Sequence, residues 1–146
     1  MVGSLSEKLY EGSFPMRVEH VNDSYGHLHH DAYFVYVDVV TDRFLSLLGF
    51  SHEILIEKMG VCLVKHSGRD KYHKELRQFD KFDVAFEVCS RGETFLDFVY
   101  KFLKSEDEKG VVAFKYDSTW TFVDAKIRKP IPIPNFFLDA LRNAKG

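Results

Sequence analysis

Residues 31–49, DAYFVYVDVVTDRFLSLLG, predict one long helix that is apolar on nearly all of its sides. Apolar residues recur at spacings of three and four, the period of one helical face, and they are Tyr33, Val37, Val40, Phe44, Leu47 and Leu48. Gly49 follows where a C-terminal cap is expected. The other sides carry further apolar residues, namely Phe34, Val35, Tyr36 and Val39. A surface helix would expose these side chains to water, so another part of the chain must wrap around this helix.

Three segments downstream of the helix alternate apolar and polar residues, which is the pattern of half-buried β-strands. They span residues 83–90, 94–105 and 111–124. The connections at 91–93 and 105–110 are polar and turn-like, so the three strands are predicted to form a meander of hairpins.

Weaker patterns complete the predicted order of elements. Residues 13–21 alternate as a first strand, and residues 60–76 begin as an apolar run and continue as a more polar strand. Residues 1–12 are predicted to be flexible or to form a short helix. Three prolines within 130–134 exclude regular helix there, and a short C-terminal helix is expected within 134–144.

These elements predict an α+β fold in which an antiparallel sheet of about five strands wraps around one long central helix. No repeat, low-complexity tract or internal linker appears, so residues 1–146 are predicted to form one domain. Because long strands at a sheet edge invite pairing between subunits, we expect a homo-oligomer, either a dimer or a tetramer built from dimers.

Composition argues against several classes of protein. The formal net charge is −2, so the chain lacks the basic surface of a nucleic-acid-binding protein. No stretch approaches the ~18 apolar residues of a membrane span, and no basic segment followed by an apolar one predicts a signal peptide. Cys62 and Cys89 belong to no CxxC motif and are expected to be buried free thiols in a reducing compartment. We therefore expect a cytoplasmic protein.

The candidate functional stretch is HVNDSYGHLHHDAYFV, residues 20–35, which leads into the helix. It holds six potential metal ligands: His20, Asp23, His27, His29, His30 and Asp31. The spacing H-x6-H-x-H-H matches no standard zinc pattern, and adjacent side chains rarely point at one ion, so no metal site is predicted. The sequence NDSYG is also typical of turns, so an Asx-turn is the alternative interpretation of Asp23.

The spacing Asp23-x-x-Gly26-x-x-x-His30-x-x-Tyr33-Phe34, placed before this helix, resembles a known family. The chain looks like a hotdog-fold acyl-CoA thioesterase of the 4-hydroxybenzoyl-CoA thioesterase type, in the branch associated with the bacterial Tol–Pal cluster. Residues 76–88, LRQFDKFDVAFEV, and 128–141, RKPIPIPNFFLDAL, resemble further family segments. The chain departs from the family at Val21, where an aspartate is common, and at Asp80 to Asp83, where a Gly-Asp pair is usual.

The resemblance implies that the chain hydrolyses an acyl-CoA thioester. It makes Asp23 the nucleophile or the general base for water, with Gly26 permitting close backbone approach. His30 would orient the carboxylate or the water, or bind the substrate, and an exposed histidine near the helix N-cap is the alternative. The free N–H groups at the start of the helix, near His30, would stabilise negative charge on the carbonyl oxygen.

The resemblance also implies residues that contact the substrate. These are His27, Tyr33 and Thr94, with core packing as the alternative for Tyr33. The CoA nucleotide needs basic residues, and Arg128 and Lys129 are the preferred candidates among a larger group that includes Arg69, Lys71 and Arg91. No cofactor is expected, because CoA is part of the substrate. The rival functions are a hotdog hydratase or dehydratase and a non-catalytic acyl-CoA sensor.

Overall fold

The computed structural model describes residues 7–19, 28, 30–104 and 112–145. In this part of the chain, six strands form one antiparallel sheet in the order β1-β3-β4-β5-β2, and β6 pairs with β5. The strands are β1 (Glu7–Arg17), β2 (Val61–Tyr72), β3 (Lys81–Arg91), β4 (Phe95–Lys104), β5 (Val112–Asp124) and β6 (Pro130–Ile131). A 3₁₀ turn (His30–Ala32) leads into helix α1 (Tyr33–Leu47), which is followed by helices α2 (His52–Met59) and α3 (Asn135–Lys145).

The predicted meander of β3, β4 and β5 is confirmed. Residues on β3 and β4 alternate between buried and half-buried, so one face of each strand points into the core. Cross-strand partners on this inner face are mostly aromatic: Phe86 lies opposite Tyr100, and Phe102 opposite Phe114. The β3–β4 turn contains Gly92 at φ +68°, a backbone conformation that glycine adopts without strain.

Helix α1 packs against the inner face of the sheet, as predicted. Its buried residues are Tyr33, Val37, Val40, Thr41, Phe44 and Leu45. Phe44 is fully buried, and its ring lies within 6.4 Å of the rings of Tyr10, Phe86, Phe98 and Phe137. The prediction that Leu47 faces the core was wrong, because its side chain is 63% exposed. The buried face runs through Thr41 and Leu45 instead.

A hydrogen bond explains why a threonine lies in this core. The Thr41 hydroxyl donates to the Val37 carbonyl at 2.8 Å, so the Tyr100 hydroxyl, 2.6 Å from Thr41 Oγ1, is the donor of the second bond. Both side chains are buried with their polar atoms satisfied. This pair ties α1 to the centre of β4.

One other expectation about secondary structure was wrong, and one helix was not expected. Strand β1 begins at Glu7, so the segment 7–12, expected to be flexible or helical, extends the strand and pairs with β3 from Ser90 to Phe86. Helix α2 was not predicted. It begins after Ser51, whose hydroxyl accepts a hydrogen bond from Ile54 N, and ends at Gly60 in the left-handed conformation.

The structure also describes the two cysteines and the length of the helices. Cys62 and Cys89 are free thiols, as predicted, but they are half-buried rather than fully buried. Across the described residues, no helix is both long and apolar enough to cross a membrane.

Candidate active site

The start of α1 is fixed by two hydrogen bonds to one residue, Leu76. The backbone N–H of Leu28 donates to the Leu76 carbonyl at 2.6 Å, and the Leu76 N–H donates to the Tyr33 hydroxyl at 3.2 Å. Leu28, Tyr33 and Leu76 are all buried. The chain that enters the helix is therefore held against the segment that precedes β3.

Tyr33 holds the first turn of α1 against the ends of three strands. Its ring centroid lies 4.6 Å from that of Phe114, 5.3 Å from Tyr72 and 5.8 Å from Phe102. Burial raises the pKa of Tyr33, which keeps the hydroxyl protonated at neutral pH. These contacts are those of a packing residue, and a contact between Tyr33 and a substrate stays a prediction.

The segment from Leu76 to Asp80 is itself held in place by charge and hydrogen bonds. The Asp80 carboxylate accepts a bond from Arg77 N at 2.7 Å and forms an ion pair with Lys104 Nζ at 3.4 Å. The backbone of Val18 pairs with this segment as well, donating to Asp80 O at 2.9 Å and accepting from Phe79 N at 2.7 Å. The chain is therefore hydrogen-bonded to the segment 76–80 at two points, Val18 and Leu28.

The N-terminus of α1 receives no hydrogen bond from its N-cap side chain. The N-cap residue is Ala32, with φ −71° and ψ −19°, and alanine has no polar side chain. The first N–H groups of a helix lack intrahelical partners and carry the positive end of the helix dipole. Because the 3₁₀ turn His30–Ala32 runs directly into α1, the first N–H groups of the helical segment are those of this turn.

Several of the predicted site residues fall outside what the structure describes. Asp23, Gly26 and His27 lie outside the described residues, so their catalytic and binding roles stay predictions. The backbone of His30 begins the 3₁₀ turn that precedes α1. This is the position at which the sequence predicts the oxyanion donor.

The other predicted substrate contacts lie at the opposite end of the sheet. Thr121 Oγ1 donates to the Thr94 carbonyl at 3.3 Å, and Thr121 is seven residues along β5 from Phe114, which packs under Tyr33. Seven residues of strand span about 23 Å. Within one chain, Thr94 therefore does not meet the start of α1.

Arg128 and Lys129 lie at this same distant end, on a turn held by three hydrogen bonds of Asp124. The Asp124 carboxylate accepts bonds from Lys126 N at 2.8 Å and Ile127 N at 3.0 Å, and Asp124 N donates to Lys129 O at 2.9 Å. Arg128 has φ +61°, and its side chain is exposed. The turn presents Arg128 and Lys129 to solvent far from Tyr33 of the same chain.

The contacts made by Leu28, Leu76 and Lys104 were not anticipated from the sequence. Leu28 and Leu76 are ordinary apolar residues, and only their long-range hydrogen bonds show that they fix the start of α1. Asp80 was noted only as a departure from a Gly-Asp pair. Within the described ranges, no group of three histidine, cysteine, aspartate or glutamate side chains lies close enough to hold a metal ion.

Comparison with known proteins places this site in a family. A family model of the thioesterase-like superfamily matches residues 19–141, which include the whole stretch from Asp23 to Tyr33. The chain belongs to the thioesterase-like superfamily. A comparison with curated protein sequences finds no significant match.

Solved structures share the fold of this superfamily member at low sequence identity. A DHNA-CoA thioesterase from Staphylococcus aureus has a TM-score of 0.72 and 21% identity, covering 92% of this chain and 88% of its own. A 1,4-dihydroxy-2-naphthoyl-CoA thioesterase from Synechocystis has a TM-score of 0.77 and 13% identity, covering 92% and 99%. A hypothetical protein from Staphylococcus aureus in complex with CoA has a TM-score of 0.77 and 18% identity, covering 96% and 85%. The predicted hotdog fold is confirmed.

The hydroxyl of Tyr33 offers a direct test of how the start of α1 is held. We expect Tyr33→Phe to lower the free energy of unfolding by about 1–3 kcal/mol, because the buried Leu76 N–H loses its acceptor. Chemical denaturation at fixed protein concentration measures this loss. Tyr10→Phe is the matched control, since Tyr10 is also buried but its hydroxyl bonds to no other residue in the described ranges. Equal losses in the two variants would show that the Leu76 bond contributes nothing to stability.

Proposed function

We propose that this protein is an acyl-CoA thioesterase that hydrolyses an acyl-CoA to the free acid and CoA. The observation that carries the proposal is the match of the thioesterase-like model across residues 19–141, which span the Asp23–Gly26–His30–Tyr33 motif. The helical start at His30, where a 3₁₀ turn runs directly into α1, supports it. The neighbours named as thioesterases and the neighbour solved with CoA agree with it.

In the proposed reaction, Asp23 acts at the thioester carbonyl carbon. It either attacks that carbon to form an acyl anhydride, which water then cleaves, or removes a proton from the attacking water. In both routes the carbonyl oxygen gains negative charge, and the N–H groups near His30 stabilise it. Breaking of the C–S bond releases the CoA thiolate: on the nucleophilic route this step forms the anhydride, and on the general-base route it forms the free acid. In both routes the thiolate takes up the proton that the reacting water gives up. We place Gly26 beside the reacting groups and His27 and Tyr33 against the substrate.

We further propose a homodimer formed by the outer edge of β2. Residues 61–72 of β2 pair with β5 on one side, and in the described residues no strand pairs with the other side. An unpaired edge of this length favours pairing with a second copy. A two-fold axis at this edge makes the β2–β2 pair antiparallel.

An antiparallel β2 pair moves the distant turn of one subunit toward the active site of the other. The start of β2 lies beside the Asp124–Lys129 turn, because Ala125 N donates to Gly60 O at 3.0 Å. The end of β2 lies beside α1, since the rings of Tyr72 and Tyr33 are 5.3 Å apart. We therefore propose that Arg128 and Lys129 bind the CoA phosphates in the active site of the other subunit, with Thr94 at the same end.

The first test is thiol release from a panel of acyl-CoAs, with and without a metal chelator. We expect hydrolysis of at least one ester at a rate that the chelator leaves unchanged, because the proposed chemistry needs no metal. Binding of the esters without thiol release would indicate an acyl-CoA sensor instead. Addition or loss of water on an unsaturated or hydroxylated acyl chain, with the thioester intact, would indicate a hydratase.

If each active site combines residues of two subunits, dimers formed from two different variants should regain activity. Arg128→Ala/Lys129→Ala is expected to raise KM for the acyl-CoA about 10- to 100-fold, because charge-assisted bonds to phosphate are lost. Arg142→Ala, which removes an exposed arginine on α3, is the control. Mixing this double variant with Asp23→Asn subunits should restore a KM close to that of the wild type, because one site of each hybrid then contains only unaltered residues. If hybrids show no such restoration, the binding residues and the carboxylate belong to the same subunit.

A further inference from the structure

A β-bulge in the edge strand β2 reorients its side chains beside α1. Lys65 pairs with Trp120 and Ser67 pairs with Thr119. His66 is therefore an extra residue that lies opposite no residue of β5. Bulges of this kind redirect side chains and recur near active sites. Because of the bulge, Lys65 and Gly68, three residues apart, both face the helix side of the sheet.

Gly68 makes room for a hydroxyl on that face. The hydroxyl of Tyr116 on β5 lies directly over Gly68, in the space that a Cβ atom would fill. Any larger residue at position 68 would displace it. Tyr116 is buried, and its ring packs edge-on against Phe34 in the first turn of α1 at 5.0 Å. This hydroxyl therefore belongs to the same surface as the start of α1.

Lys65 directs its ammonium group to this hydroxyl. Lys65 Nζ donates to the Tyr116 hydroxyl at 3.0 Å and lies 5.1 Å from the Tyr116 ring centroid and 5.7 Å from that of Trp120. Contact with aromatic faces holds the cation in place. None of the described carboxylates forms an ion pair with Lys65, although Asp70 faces the same side of β2 by register. The ammonium has three N–H groups and uses one of them here.

The ammonium lies within reach of an acyl group whose carbonyl is at the start of α1. Phe114, which packs under Tyr33, and Tyr116 are two residues apart on β5, or about 7 Å along the strand. The half-buried ring of Phe34 packs edge-on against the buried rings of Phe114 and Tyr116, so the side of α1 next to Lys65 carries an aromatic ring. The Phe34 ring and the Lys65 ammonium together suit a flat or apolar acyl body that ends in a polar group.

We propose that Lys65 and Tyr116 recognise a carboxylate at the far end of the acyl group, so that the preferred substrates are CoA esters of dicarboxylic acids. This inference rests on the proposed thioesterase function and specifies its substrate class. The Lys65 ammonium forms the ion pair with the carboxylate, and the Tyr116 hydroxyl orients the ammonium. Gly68 and the bulge at His66 are the features of β2 that permit this arrangement.

The test compares two CoA esters of similar shape, 4-carboxybenzoyl-CoA and 4-methylbenzoyl-CoA. The wild type is expected to favour the carboxylated ester in kcat/KM. Lys65→Met, which keeps an apolar stem and removes the charge, should lower the ratio of the two kcat/KM values about 10- to 100-fold. Lys65→Arg should retain most of the ratio, because it keeps the cation. Lys58→Met on α2 is the matched control and should leave the ratio unchanged.

Two results would overturn the proposal: a wild type with no preference for the carboxylated ester, or a Lys65→Met variant that loses activity on both esters equally. The second would identify Lys65 as a structural residue. If the wild type hydrolyses no acyl-CoA, the proposed function fails. Calorimetry with 4-carboxybenzyl-CoA and 4-methylbenzyl-CoA thioethers then still tests whether Lys65 binds the carboxylate. Binding of the carboxylated thioether that is tighter in the wild type than in Lys65→Met supports the site, and equal binding excludes it.

Discussion

Asp23→Asn is expected to lower kcat for acyl-CoA hydrolysis by about 10²- to 10⁴-fold, because a neutral amide neither attacks the carbonyl carbon nor removes a proton from water. The substitution keeps the size and shape of the side chain, so folding and dimerisation should persist. Steady-state thiol release measures the loss, and thermal unfolding with sedimentation checks the fold and the assembly.

The matched control for this experiment is Asp42→Asn. Asp42 is an exposed carboxylate on α1, so it has the same chemistry on the same helix without a place in the proposed site. Its kcat should equal that of the wild type. Turnover by Asp23→Asn at the rate of the wild type would remove Asp23 from the mechanism and leave the Asx-turn interpretation.

Phe44→Ala is expected to lower the free energy of unfolding by about 3–5 kcal/mol, the usual cost of truncating a fully buried phenylalanine. Phe44 lies between the sheet, through Phe86 and Phe98, and helix α3, through Phe137. The cavity left by its ring would touch all of these elements. Urea unfolding at one fixed protein concentration measures the loss, since the stability of an oligomer depends on concentration.

Leu47→Ala provides the comparison for this stability prediction. Leu47 is on the same helix, one turn from Phe44, but is largely exposed, so its truncation should change stability by at most about 0.5 kcal/mol. The helical period alone placed Phe44 and Leu47 on one buried face. If Leu47→Ala lowered the free energy of unfolding as much as Phe44→Ala does, Leu47 would belong to the buried face after all.

The case of Leu47 shows what a hydrophobic pattern predicts and what it omits. The pattern correctly indicated a long helix covered by a sheet, because large apolar residues recur along α1 at helical spacing. It did not indicate that Thr41 lies in the core, because the bond between Thr41 and Tyr100 joins residues 59 positions apart. Burial of Thr41 and Leu45 turns the buried face away from Leu47.

The start of β1 was missed for a different reason. The register of β1 against β3 shifts between Lys8 and Tyr10, so the alternation of apolar and polar residues is interrupted there. Helix α2 was missed although Ser51 and Gly60 are typical capping residues, because it has only eight residues and no long apolar period. Short or irregular elements of this kind are specified by local hydrogen bonds more than by periodicity.

The site was predictable only in part. The motif from Asp23 to Tyr33 indicated the family, which the superfamily match confirms, because its residues are close in sequence. The contacts that hold the start of α1 join Leu28 and Tyr33 to Leu76, and the ion pair joins Asp80 to Lys104. Apolar side chains and common surface charges carry no signal for such pairings, so only the fold reveals them.

The anchoring of Val18 and Leu28 to one short segment, 76–80, has a consequence for engineering. Because both ends of the intervening chain are fixed at neighbouring points, the entropy cost of closing it depends weakly on its length. A connection of a different length between Val18 and Leu28 would therefore meet the same two anchors at little extra entropy cost. Segments from distant relatives could be joined at these two anchor points to vary the chemistry of the scaffold.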